Sequence, residues 1–128
     1  MTTDLTPHRF DTPESFGAWL SENDDTSSGS WLVVAKKGSP MATITYRQAL
    51  LAALAHGWID GQARRLDDDS YLQRFTPRRP KSTWSLRNQN YVQAMIDEGT
   101  ISPRGLAEVG RAKAHGRWDN AYEGAPPR

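Results

Sequence analysis

The sequence predicts an α+β domain, with about four helices packed on a small, mostly antiparallel sheet of about three strands. Three observations carry that expectation. Thr12-Pro13-Glu14 and Ser102-Pro103 each place a hydroxyl at a helix N-cap and a proline at the first helical position. Two strand-like segments, 58–66 and 71–76, flank the turn-forming run Asp67-Asp68-Asp69-Ser70, as in a β-hairpin. The 128 residues are 37% hydrophobic and 24% charged and include five Trp, enough for one domain with its own core.

Taken in order, the first helix starts at Pro13 and carries Phe16, Trp19 and Leu20 on one face. The polar run from Glu22 to Gly29 ends it. Trp31-Leu32-Val33-Val34-Ala35 is a short continuous apolar run, read as a strand buried on both faces and closed by Lys36-Lys37-Gly38-Ser39-Pro40. Thr45 and Gln48 have capping-box spacing ahead of Tyr46, Ala49, Leu50, Ala53 and Leu54, and Gly57 suits a left-handed stop. The hairpin follows, its first strand weakened by Gly61. A third helix begins near Ser82 or Ser85 and ends at Gly99. A fourth runs from Pro103 toward Gly116; its apolar residues Leu106, Ala107 and Val109 are few, so a peripheral position is expected. The domain is expected to span 1–122, with 123–128 as a tail.

Charge is uneven. The net charge is +1, but residues 1–69 carry ten acids against six Lys/Arg, whereas residues 70–128 carry five against ten. The segment Arg74 to Arg87 concentrates this: five cations, two prolines and two aromatics, with no Asp or Glu from Ser70 until Asp97. Solvated loops usually mix both signs, so a one-sign segment stiffened by Pro77 and Pro80 points to an anion site. Arg74, Arg78, Arg79 and Lys81 supply charge, and guanidinium pairs suit phosphate or carboxylate. Trp58 and Trp84 wall the cleft. Ser82 and Ser85 open a helix whose N–H groups face the same ligand. Asp60 and Asn88 are expected to orient the arginines or the ligand. The competing reading makes the segment a connection whose Trp84 is core and whose cations pair with Asp67, Asp68 and Asp69.

Several chemistries are excluded or disfavoured. Without cysteine there is no disulfide, thiolate zinc site or cysteine nucleophile. The three histidines lack metal spacing, and Asp67-Asp68-Asp69 lacks the glycine and terminal glutamate of a calcium loop, so neither metal nor cofactor is expected. No glycine-rich phosphate loop or Gly-x-Ser-x-Gly motif is present. The N-terminus has no basic and apolar signal pattern, and no apolar run is long enough to span a bilayer. The expected location is the cytoplasm, without membrane insertion.

Gly57-Trp58-Ile59-Asp60-Gly61, together with Phe75-Thr76-Pro77-Arg78-x-Pro80-x-Ser82-x-Trp84-Ser85, resembles the YdeI/OmpD-associated family, also called bacteriocin-protection proteins. Trp19-Leu20, the Trp31 strand and the closing Ala112-Lys113…Gly116-Arg117-Trp118 share the likeness, which runs from about Phe10 to about Tyr122. Ala55-His56 and Leu86-Arg87 depart from the family pattern; Asn88 keeps its place. The resemblance implies a small α+β bacterial domain with a part in bacteriocin or envelope-stress tolerance, and it implies no catalytic residues.

Three functions are therefore carried forward. The first is a non-enzymatic domain binding an anionic small molecule or an acidic protein surface. The second is an enzyme acting on a phosphorylated or carboxylated small molecule with Asp60 as base. The third, less favoured, is a nucleic-acid binder using the 74–88 cations, which a basic surface extending through Arg104 and Arg111 would support.

Overall fold

The structure, a computed structural model, describes residues 7–79 and 83–119. Its elements run α1 (Pro13–Asn23), β1 (Ser30–Ala35), α2 (Tyr46–Ala55), β2 (Trp58–Arg65), β3 (Ser70–Pro77), α3 (Leu86–Glu98) and α4 (Pro103–Ala114). This is the α+β domain expected, with one antiparallel sheet in the order β1-β3-β2. Lys81 and Ser82, and the tail 123–128, lie outside the described residues.

Local chemistry sets the helix ends. Thr12 and Thr45 close capping boxes with Ser15 and Gln48; Ser85 and Ser102 accept from the amides of Asn88 and Gly105. Each such cap is worth about 1 kcal/mol. Gly57, Gly99 and Gly116 follow the last helical turns at φ of 75°, 74° and 75°, where a side chain would be strained. At the hairpin tip, the exposed Asp67 Oδ1 accepts from the Asp69 amide, the Ser70 amide and the Ser70 hydroxyl. These bonds, the Asp69 amide first, hold the Asp67 carboxyl below its ordinary pKa.

β3 is the central strand. Phe75 pairs across to Ser30 and Asp60, and Arg74 to Trp31. Alternation sends Phe75, Leu32, Val34 and Trp58 inward, and Arg74, Leu72, Trp31 and Val33 outward. The inner face meets the helices, with α2 as hub: it packs on α1, β2, α3 and α4. Phe16, Leu20, Leu50, Trp58, Phe75 and Val92 are fully or nearly fully buried there, each worth about 1.5–3 kcal/mol. Gly61 lies at a register shift between Asp60 and Ala63, the irregularity its presence in a strand suggests. Beyond β1, the His8 amide donates to the Trp31 carbonyl and the Val33 amide to the His8 carbonyl, covering that edge.

Two details refine the expected elements. β1 has no exposed residue, and Trp31 on its outer face is buried, though it lies outside the main hydrophobic cluster. Leu106 and Ala107 are exposed on α4, which docks instead through Gly105, Val109 and Ala112. The contact is close because Gly105 has no side chain: a Cβ there would lie 2.4 Å from the Ala55 carbonyl oxygen and 2.7 Å from Ile101 Cγ1. Gly105→Ala is therefore expected to destabilise the fold by about 1–3 kcal/mol in urea denaturation. Gly110→Ala on the same helix has nothing within 4 Å and should add up to about 1 kcal/mol. Equal effects of the two substitutions would contradict this docking.

Candidate functional site

The basic segment does not stay together in space. Arg74 lies on the outer sheet face, its guanidinium carbon 5.5 Å from the centre of the Trp31 ring. Arg78, just past the end of β3, is anchored by its amide to the Gly57 carbonyl and by Nη1 to the Thr83 carbonyl. Its guanidinium carbon lies over Trp84, 3.6 Å from the ring centroid. A desolvated cation–π contact of this kind is worth about 2 kcal/mol. Trp84 meets Trp118 edge-on at 5.1 Å, and Lys113 covers Trp118 at 5.4 Å. Gln89 donates to the Trp118 carbonyl, tying the turn after α4 to α3.

This column brings distant cations together. Arg78, Arg79 and Trp84 share a cleft with Glu108, Arg111 and Ala112 of α4 and with Arg117. Four guanidinium groups face one carboxylate among these lining residues. Arg111 reaches Glu108 at 3.6 Å but is 43% exposed, so that pair is worth under about 1 kcal/mol. The cavity between the side chains is about 10 Å³, room for roughly one water, so a ligand would lie across the mouth.

The other sequence-selected residues sit elsewhere. Trp58 is wholly enclosed, and its indole N–H donates to the Asp24 carbonyl, so it is core. Beside it, His56 Nδ1 meets Asp24 Oδ2 at 2.9 Å. Ser85 and Asn88 are buried at the start of α3, where the Ser85 hydroxyl accepts from the Asn88 amide and Asn88 Oδ1 from Arg87 Nε. Asp60 has neither Arg74 nor Arg78 as partner. Its Oδ2 accepts from the Tyr46 hydroxyl at 2.5 Å. Burial, then the bond to Asp60 and its charge, push the half-buried Tyr46 phenol up to about 12, with Arg87 acting in the opposite sense. At neutral pH Tyr46 is a neutral donor to a carboxylate, which is a stabilising pair rather than an activated nucleophile. Among the described residues no group of three or more His, Asp or Glu side chains is placed to hold a metal ion. No described helix is long and apolar enough to cross a membrane.

Sequence reasoning missed the roles of Arg117, Glu108 and Tyr46, and placed Arg111 only as a possible extension of a basic surface. Fold and cleft together define a small α+β domain with an arginine-lined surface site. The chain belongs to the family described as Domain of unknown function (DUF8412), whose family model matches residues 8–108. No curated protein and no solved structure matches the chain. The matched region contains Arg78, Trp84 and Glu108; Arg111 and Arg117 lie beyond it.

The Tyr46 pair fixes a sign. Because folding favours the protonated phenol, its contribution to stability is full below pH 10 and is lost as pH rises through about 12. Absorbance titration of the phenolate band, subtracting the Tyr46→Phe spectrum, should show one group ionising near 12. Asp60→Asn should bring it back toward 10.0. A Tyr46 that ionises at 10.0 in the wild type would contradict the pairing.

Proposed function

We propose that this domain binds an oxyanion-bearing small molecule or an acidic protein surface across the Arg78–Arg79–Arg111–Arg117 cleft, and that it works by binding rather than catalysis. The observation that carries this reading is the convergence of guanidinium groups from the end of β3, from α4 and from the turn after it, with Glu108 as the one carboxylate among the described lining residues. Trp84 beneath its guanidinium and the Thr83 carbonyl hold Arg78 in place, and the planar fork of each arginine suits phosphate or carboxylate. Asp60, the candidate base, is not among the lining residues and is engaged by Tyr46. By resemblance to the bacteriocin-protection family, we assign the binding a part in bacteriocin or envelope-stress tolerance, in the cytoplasm.

Nucleic acid is the second reading, favoured by one observation: Arg111 extends the basic surface beyond the 74–88 segment. Against it, Trp84 is 3% exposed, with Arg78 over its face and Trp118 against it, so it offers no base-stacking platform.

Calorimetric titration with inorganic phosphate, a nucleotide, a dicarboxylate and a short oligonucleotide tests both. Arg111→Glu with Arg117→Glu leaves the buried Arg78–Trp84 pair intact and should weaken binding at least about tenfold. Wild-type protein that binds nothing in the panel, or a double variant that binds equally well, would refute the cleft. A small anion should lose affinity gently with salt. A log–log slope of several, at about −0.7 to −0.9 per phosphate contacted, would favour nucleic acid.

A further inference from the structure

The outer face of the sheet carries a second basic arrangement, separate from the cleft. Trp31 is only 6% exposed, yet it lies outside the main hydrophobic cluster. Part of its cover is cationic: Arg64 lies 5.1 Å and Arg74 5.5 Å from the same ring centroid. The strand register explains the convergence, since Trp31 pairs with Arg74 and Arg64 with Leu72, one step along the same face.

Arg74 is also held from the side. Gly29 stands at φ +147°, and a Cβ there would come within 2.7 Å of Arg74 Nη2 and 3.0 Å of Arg74 Cζ. A glycine thus leaves the space that the guanidinium occupies. No carboxylate lies within ion-pair distance of Arg64 or Arg74 among the described residues. A cation set over an indole, unlike one in an ion pair, keeps its charge for a ligand.

We infer that Arg64 and Arg74, set against Trp31, form a phosphate-binding site on the outer face of the sheet. Two fixed positive charges match a dianionic phosphate monoester, and two forks offer more donors than one carboxylate has oxygens to receive. The half-buried Val33 and Leu72 beside them give an organic group on that phosphate an apolar strip to lie on. This site shares no residue with the cleft, and its success or failure is read at different atoms.

NMR of the full chain tests it, following the Trp31 indole N–H and the Nε–H groups of Arg64 and Arg74. Inorganic phosphate, and separately a nucleoside monophosphate, is titrated against chloride at constant ionic strength. Saturating shifts at these three groups are expected, with the nucleoside monophosphate binding more tightly if the apolar strip contributes and equally if the phosphate alone is read. Arg64→Ala alters an exposed side chain and should weaken binding about tenfold or more. Arg74→Lys keeps the charge, loses the fork, and should weaken it as well. Shifts no larger than those with chloride, or unchanged affinity in Arg64→Ala, would overturn the site. Shifts confined to Trp84, Trp118 and Arg111 would overturn it too while leaving the cleft standing.

Discussion

The alternation of the central strand is the constraint on which the remaining structure depends. β3 is bonded on both sides, so its register is fixed twice, once against β1 and once against β2. Phe75 must face the helices, because that side of the sheet closes the core with Trp58 and Phe16. Arg74 must then face the other way. A slip by one residue would bury a guanidinium and expose a phenyl ring, an exchange far more costly than any surface contact could offset. Arg78 leaves β3 only after Pro77 and can turn toward Trp84. Arg74 and Arg78, four residues apart in sequence, thereby stand on different sides of the sheet.

A segment without carboxylates must still settle its charges, and Arg74 and Arg78 do so in part with aromatic rings, as do cations elsewhere in the chain. Arg78 lies on Trp84, Arg64 and Arg74 on Trp31, Lys113 on Trp118 and Arg47 on Tyr91. An exposed ion pair is worth about 0–1 kcal/mol and neutralises the cation. A stacked guanidinium gains a similar or larger amount, and its charge remains for a ligand. Buried tryptophans here do not form stacking platforms for bases. Their faces meet cations instead.

The elements were legible from sequence because their signals are local. Thr12, Thr45, Ser85 and Ser102 announce helix starts within four residues of chain, and Gly57, Gly99 and Gly116 announce the stops. The hairpin was equally readable from the turn at Asp67. The sites were not, because they depend on long-range pairing. Nothing local in Arg111 or Arg117 says that α4 ends beside Trp84; that follows from Gly105 docking on the C-terminus of α2. Nor does Asp60 announce Tyr46, fourteen residues earlier on a different element. One signal was available and unused: placing Arg74 and Phe75 on adjacent strand positions already separates Arg74 from the core-facing side.

The division of the cations between two faces can be checked directly by side-chain NOEs in the unliganded protein. Arg74 should show cross-peaks to the Trp31 indole with ring-current-shifted δ protons, and Arg78 should show them to Trp84 alone. Cross-peaks from both arginines to Trp84 would mean that the 74–84 segment closes into a single site, and the two-faced arrangement would be wrong.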